Sequence, residues 1–269
     1  MILSLGFLAN FTVGILIGIA ASTLGLGGGF LFVPYYHLAL GFPIRKAIGS
    51  SMASIMFLTC SSAVAYGFQR RIDYRLGVLL EVLEIPAVLL GACLTQYLNQ
   101  FHLKLAFSAL LIFASLNMIF RLGFHERKAG DAKLGWSREI VDRWGKRFRY
   151  SFNPWFAVGG SFGIGILAGM TGIGGGSLNV PLMSLALNVP IHIAIATSSF
   201  VSFVNSIAGS MGHLTLGNID FYTAVTTGLG ALIGAQVGSR VARKTKPKML
   251  RKIFGLVLLG IAIRMIIFS

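Results

Sequence analysis

The chain has 269 residues, 55% of them hydrophobic and 12% charged, with a formal net charge of +15. A soluble domain carries about 25% charged residues, so this composition excludes a water-facing surface over most of the chain. The positive charge does not mark a nucleic-acid binder, because most Lys and Arg lie in two loops beside apolar spans, as positive-inside loops do.

Apolar stretches run near 3–22, 30–41, 47–67, 76–98 and 103–120, then near 154–171, 177–188, 194–214, 221–239 and 249–268. Residues 1–22 lack a basic n-region and an A-x-A-like site, so they read as a first membrane segment. A spanning helix needs about 20 residues. The stretches 30–41 and 177–188 are shorter, and each follows a glycine cluster. They are expected to be broken or re-entrant helices with the Gly-rich loop inside the membrane, where irregular backbone survives only within protein or beside a wet cavity. Cys60 and Cys93 fall inside apolar runs and match no metal spacing. The histidines likewise show no ligand spacing, and no nucleophile motif or cofactor motif stands out.

Two copies of one unit organise the chain. Gly27 and Gly174 fix the offset at 174 − 27 = 147, and GLGGGFLFVP at 25–34 then aligns with GIGGGSLNVP at 172–181. The register holds through Pro43 and Pro190, Ser51 and Ser198, and Asp73 and Asp220. Repeats interrupted by glycines are the mark of a repeat-built transporter. Residues 1–121 form the first membrane repeat and 153–269 the second, with a basic loop at 122–152 between them. In that loop, residues 137–149 place Ile140, Val141, Trp144 and Phe148 on one helical face and basic residues on the other, which suits a helix lying on an anionic leaflet as well as a plain linker.

Basic charge sets the orientation. The loop from Arg121 to Arg149, the loop from Arg243 to Lys252 and the turn with Arg70, Arg71 and Arg75 are expected inside. The repeat partners of the last two, Asn99–Lys104 and Leu216–Asp220, carry one Lys and no basic residue respectively. Equivalent loops thus differ in charge, and the fold expected is an all-α integral membrane protein of two inverted-topology repeats, with both termini outside. Arg45 and Lys46 are the misfit, since this scheme places them outside.

The candidate site residues come from both copies. Gly25, Gly27, Gly28 and Gly29, with Gly172, Gly174, Gly175 and Gly176, permit tight turns and close approach. The short helix after each loop directs free N–H groups toward it, which favours an anion; the alternative is packing. Ser50 and Ser51, with Thr197 and Ser198, open the next helices, where hydroxyls serve equally as caps or ligand donors. Asn179, Asn205, Gln236 and His213 read as helix–helix hydrogen-bonding groups. Glu81 and Glu84 are acidic residues deep in an apolar stretch, and Glu84 lies about 15 Å from Tyr74 at the helical rise. Intramembrane carboxylates are costly, and they are functional candidates by default. Proton coupling is one reading and a buried structural carboxyl the other.

The doubled G-x-G-G-G-x-x-x-x-P run, the A-x-x-[ST]-S segment after it and the basic central loop resemble the sulfite exporter TauE/SafE family over nearly the whole chain. The resemblance implies a multi-pass permease of the cytoplasmic membrane that moves a small anion, such as a sulfur oxyanion or organosulfonate, without being an enzyme. It places Gly25–Gly29 with Pro34 and Ser50–Ser51, and Gly172–Gly176 with Pro181 and Thr197–Ser198, at the site. The expected partners are the anion, the bilayer and protons, with a homo-oligomer compatible. An anion channel, a membrane enzyme or a subunit of a complex remain the alternatives.

Overall fold

A computed structural model of the chain describes residues 2–24, 27–120, 135–244, 256 and 259–265. The first copy contains α1 (Ile2–Leu24), α2 (Gly29–Pro34), α3 (Ile44–Phe68), α4 (Tyr74–Tyr97) and α5 (Gln100–Phe120). A hairpin of β1 (Trp136–Val141) and β2 (Arg147–Phe152) follows. The second copy contains α6 (Pro154–Thr171), α7 (Gly176–Pro181), α8 (Ile191–Thr215) and α9 (Phe221–Lys244), and residues 259–265 are again helical. Among the described residues, five helices are long and apolar enough to cross a membrane: Gly6–Thr23, Ile44–Phe68, Tyr74–Tyr97, Pro154–Thr171 and Ile191–Thr215. Their large apolar side chains, such as Val78, Val82 and Leu90 on α4, face outward. Ser, Asn and Glu side chains are buried instead, the reverse of a soluble protein's surface rule.

Each short helix is broken for the same reasons. It starts at a glycine in the left-handed region, Gly28 (φ 88°) or Gly175 (φ 73°). It ends at Pro34 or Pro181, and the chain widens at once into a π-helical turn, Tyr35–Ala39 or Leu182–Ala186. Proline lacks the N–H and crowds the preceding carbonyl, so a regular helix cannot continue through it.

The copies pack by exchanging partners. Gly18 of α1 lies against Ala231 of α9, and Gly165 of α6 lies against Glu84 of α4. The offset of 147 interconverts these two contacts. It also relates Gly238 on Ile19 to Gly91 on Ile166. In each case a side chain would strike the facing backbone, so glycine lets the helices approach closely. Residue numbers rise together along α1 and α9, and along α4 and α6, so each pair runs parallel. The pair α3 and α8 runs antiparallel: Gly49 meets Asn218 and Gly209 meets Met52, while Tyr66 and Ile72 cluster with Ala196. Because α8 and α9 are joined by a short turn, α1 and α3 run the same way. The chain between Leu24 and Ile44 must therefore travel back across, and α2 belongs to a broken crossing segment rather than to a re-entrant one.

The segment 137–149, expected as an interfacial helix or a plain linker, belongs to the β1–β2 hairpin instead. Its strands pair antiparallel from Trp136 opposite Phe152 to Val141 opposite Arg147. Phe148, Tyr150 and Phe152 alternate inward and are buried. This period of two, together with the Asp142 carboxylate accepting from the Trp144 and Lys146 N–H groups in the turn, outweighs the helical pattern of Ile140, Val141, Trp144 and Phe148. The residues 121–134 and 245–255, with their Lys and Arg, lie outside the described residues.

The hairpin docks on the α3–α4 turn. The N–H of Arg143 donates to the Gln69 carbonyl at 3.0 Å, and Arg71 pairs with Asp142 at 3.0 Å. The basic hairpin and Arg70, Arg71 and Arg75 thus share one end of the molecule. Arg45 and Lys46 sit at the other. Arg45 donates to the carbonyls of Gln96 and Leu98 at the end of α4, and Lys46 pairs with Asp220 at 2.9 Å.

Candidate functional site

The second glycine loop closes on a carboxylate from the first copy. Glu84 of α4 is fully buried, and its Oε1 accepts from Asn179 Nδ2 of α7 at 2.7 Å and from Asn205 Nδ2 of α8 at 2.6 Å. Gly175 lies directly against this trio. A methyl group there would sit 2.8 Å from Glu84 Oε1, 3.0 Å from Asn205 Nδ2 and 3.2 Å from Asn179 Nδ2. Glycine is required both for that clearance and for the positive φ. On the next residue, Gly176, a methyl group would collide with Ser202 Oγ.

The two loops touch. A methyl group on Gly27 would lie 3.5 Å from Gly176 Cα, and one on Gly29 would lie 2.6 Å from the Gly172 carbonyl oxygen. Gly172 and Gly174 press on Ile48 and Ile55 of α3. At Gly28, the repeat partner of Gly175, the atoms nearest an added methyl group belong to Leu58 and Phe32. Gly25 lies outside the described residues. The described glycines of both copies are thus gathered at one junction, and polar side chains stand nearest Gly175 and Gly176 of the second loop.

The hydroxyls singled out from sequence have protein partners. The Asp220 N–H donates to Ser50 Oγ at 2.8 Å, and the Asp73 N–H donates to Thr197 Oγ1 at 3.0 Å. These two bonds are repeat equivalents that tie the start of one copy's helix to the other copy's turn. Ser51 Oγ donates to the Gly172 carbonyl at 2.8 Å, and Ser198 Oγ to the Ile195 carbonyl at 3.1 Å. Gln236 bonds Ser61, and His213 bonds the Gly169 carbonyl, both between helices.

Other oxygens have none. Glu84 Oε2, Asn179 Oδ1, Asn205 Oδ1, Ser177 Oγ and Ser202 Oγ are buried with no hydrogen-bond partner in the protein. Both carboxylate oxygens of Glu81, one turn before Glu84 on α4, are likewise unpartnered. Buried polar atoms are nearly always paired, and four of these residues, Glu84, Asn179, Asn205 and Ser202, stand together beside Gly175 and Gly176. Ser177 and Ser202 were not singled out from sequence. The signal for them was available: Ser177, Asn179, Ser202 and Asn205 stand where the first copy has Phe30, Phe32, Ile55 and Leu58. Among the described residues, no three His, Cys, Asp or Glu side chains gather as a metal cluster.

The ends of the molecule are held by ion pairs. Asp73 is fully buried and caps α4 through the N–H groups of Arg75 and Leu76. Arg138 of the hairpin donates to it twice, at 2.8 and 2.9 Å, and Tyr150 OH donates at 2.5 Å. Burial pushes the Asp73 carboxyl up, but the bonds from Arg138, Tyr150 and the Leu76 N–H outweigh it and hold the group below the usual carboxylate range. At the other end burial likewise pushes Asp220 up, and Lys46 and Thr223 hold it below its ordinary value.

Comparison with known proteins agrees on the class. A family model described as "Sulfite exporter TauE/SafE" matches residues 10–265. The "Probable membrane transporter protein YunE" of Bacillus subtilis (strain 168) is 30% identical, covering 97% of this chain and 98% of its own. The "Probable membrane transporter protein YdhB" of the same organism is 24% identical, covering 88% of this chain and 90% of its own. The "Probable membrane transporter protein MJ0441" of Methanocaldococcus jannaschii is 34% identical over 39% of this chain and 41% of its own. No solved structure matches.

Proposed function

The chain belongs to the sulfite exporter TauE/SafE family, and on that premise we propose that it is a secondary transporter of a small anion, a sulfur oxyanion or organosulfonate, in the cytoplasmic membrane. The two glycine loops form the transport site at the junction of two inverted repeats, and Glu84, with Glu81 behind it, is the coupling carboxylate, carrying protons in the simplest scheme. The observation that carries this reading is Glu84 itself: a fully buried carboxylate from one copy, held by two asparagines of the other, against Gly175.

Inverted repeats are supported by the antiparallel packing of the equivalent helices α3 and α8, and by the exchanged contacts of α1 with α9 and α6 with α4. Alternating access then amounts to rocking one copy against the other. The paired ties from Thr197 to Asp73 and from Ser50 to Asp220 sit at opposite ends and alternate as closures. The test is flux into proteoliposomes over sulfite, thiosulfate, sulfonates and carboxylates, with and without an inward proton gradient. Saturable uptake of one anion, accelerated by the gradient in the wild type and not in Glu84→Gln, is the expected result. Absence of flux for every anion, or an unaltered gradient response in Glu84→Gln, refutes the corresponding half of the reading.

A further inference from the structure

The unpartnered oxygens around Glu84 are carboxylate, amide and hydroxyl oxygens, most of them acceptors only. Because an ionised carboxylate only accepts, both asparagines must present their amide N–H groups to Glu84 Oε1, as they do at 2.7 and 2.6 Å. Their Oδ1 atoms are then left as acceptors. Together with Glu84 Oε2 that makes three pure acceptors; the unpartnered hydroxyl of Ser202 lies against Gly176, and that of Ser177 is on the next residue in the chain. No hydrogen bond links any of the five to another. An oxyanion, itself an acceptor, cannot satisfy the carboxylate and amide oxygens. A proton on Glu84 Oε2 satisfies at most one of them. A hard cation takes oxygens of all three types at once, and it neutralises the buried carboxylate.

We propose that Glu84 Oε2, Asn179 Oδ1, Asn205 Oδ1, Ser177 Oγ and Ser202 Oγ form a binding site for one monovalent cation, Na⁺. One carboxylate among neutral oxygens matches a single charge. This deepens the transporter reading above by putting Na⁺ in place of the proton of the simplest scheme as the coupling ion, and it rests on that reading for the ion's role but not for its binding.

Comparison of the copies gives the stoichiometry. The offset places Ala231, Phe32, Leu58, Phe30 and Ile55 at the equivalents of the five ligands. All five positions are apolar, so the first copy has no counterpart site. The first copy's own polar cluster is different in character. Tyr36 OH bonds Ser54 Oγ and Thr227 Oγ1, and Ser54 also donates to the Ala224 carbonyl. Those groups are mutually satisfied, and their equivalents, Met183, Val201 and Leu80, are apolar. A closed network packs a core, whereas an open one takes a ligand. Glu81, 6% exposed and nearer the hairpin end of α4, gives the cation its next acceptor toward that end.

The test needs no transported anion. Purified protein in detergent is melted in NaCl, KCl and N-methylglucamine chloride at constant ionic strength, and ²²Na⁺ binding is measured by scintillation proximity. The expected result is saturable stabilisation by Na⁺ over both other cations, with one ion bound per chain. Ser202→Ala, which removes one oxygen without adding volume, and Asn205→Leu, which installs the first copy's residue, weaken Na⁺ by at least about tenfold, as loss of a charged partner's contact does. Glu84→Gln abolishes the Na⁺ response. Identical melting in the three salts, or a Na⁺ response kept in both Glu84→Gln and Ser202→Ala, overturns the site. Proton-driven flux without Na⁺ binding overturns the site and leaves the transporter; Na⁺ binding without any flux does the reverse.

Discussion

The repeat offers a matched perturbation: the same substitution at Gly28 and at Gly175. Both glycines have positive φ, 88° and 73°. An alanine in the left-handed region costs roughly 1–2 kcal/mol at either position, so the backbone penalty is shared. The surroundings differ. At Gly28 the added methyl meets Leu58 Cδ1 at 2.9 Å and Phe32 Cε2 at 3.2 Å, and the leucine tip can turn aside. At Gly175 it meets Glu84 Oε1 at 2.8 Å and both asparagine amides. Relief there requires moving a carboxylate out of two charged hydrogen bonds, each worth about 1.5–3 kcal/mol. Loss of one such bond weakens ion binding or coupling by roughly 10- to 150-fold. The assay pairs thermal melting of purified variants with gradient-driven flux in proteoliposomes. Gly28→Ala should melt lower and keep coupling, whereas Gly175→Ala should melt lower still and lose it. Equal losses of coupling in the two variants would refute an ion site confined to the second loop.

Four further outcomes follow from the ends of the molecule. Arg138→Ala should cost about 2 kcal/mol, less than a fully buried pair because Arg138 keeps 20% exposure, and limited proteolysis should show a loosened hairpin. Lys46→Ala, at a pair 41% and 26% exposed, should change the melting temperature little, since exposed pairs contribute about 0–1 kcal/mol. The depressed Asp73 carboxyl contributes stability that is complete above its unfolded value of about 3.9. That contribution is lost only as pH falls through the lower folded value, so the difference in melting between wild type and Asp73→Asn should be flat around neutral pH and shrink in acid. Single cysteines at Ser137 and Asn218, in a background lacking Cys60 and Cys93, should label oppositely in intact cells with an impermeant reagent; labelling of Ser137 alone would invert the orientation read from the basic residues.

Much of the architecture was legible because it is written locally. The offset of 147, the glycine and proline breaks and the 20-residue apolar runs are properties of short segments. A bilayer converts them directly into helices, since it leaves no other way to satisfy the backbone. Charge marked the two ends for the same reason, and even the misfit Arg45 and Lys46 are held in place, Arg45 by carbonyls of α4 and Lys46 by its ion pair with Asp220. The sequence left 137–149 open between an interfacial helix and a linker and missed the hairpin, because both periods coexist in 137–152 and only docking against Gln69–Asp73 selects between them. The site was half legible. Depth alone marked Glu84, but its partners Asn179 and Asn205 lie 95 and 121 residues away. Ser50 and Thr197 read equally as caps or ligand donors, and packing sets each to accept an N–H group of the other copy's turn. Hydropathy and repeats record what each segment must bury. Which buried oxygens find a partner depends on how α4 of one copy meets α7 and α8 of the other, and that meeting exists only in the tertiary fold.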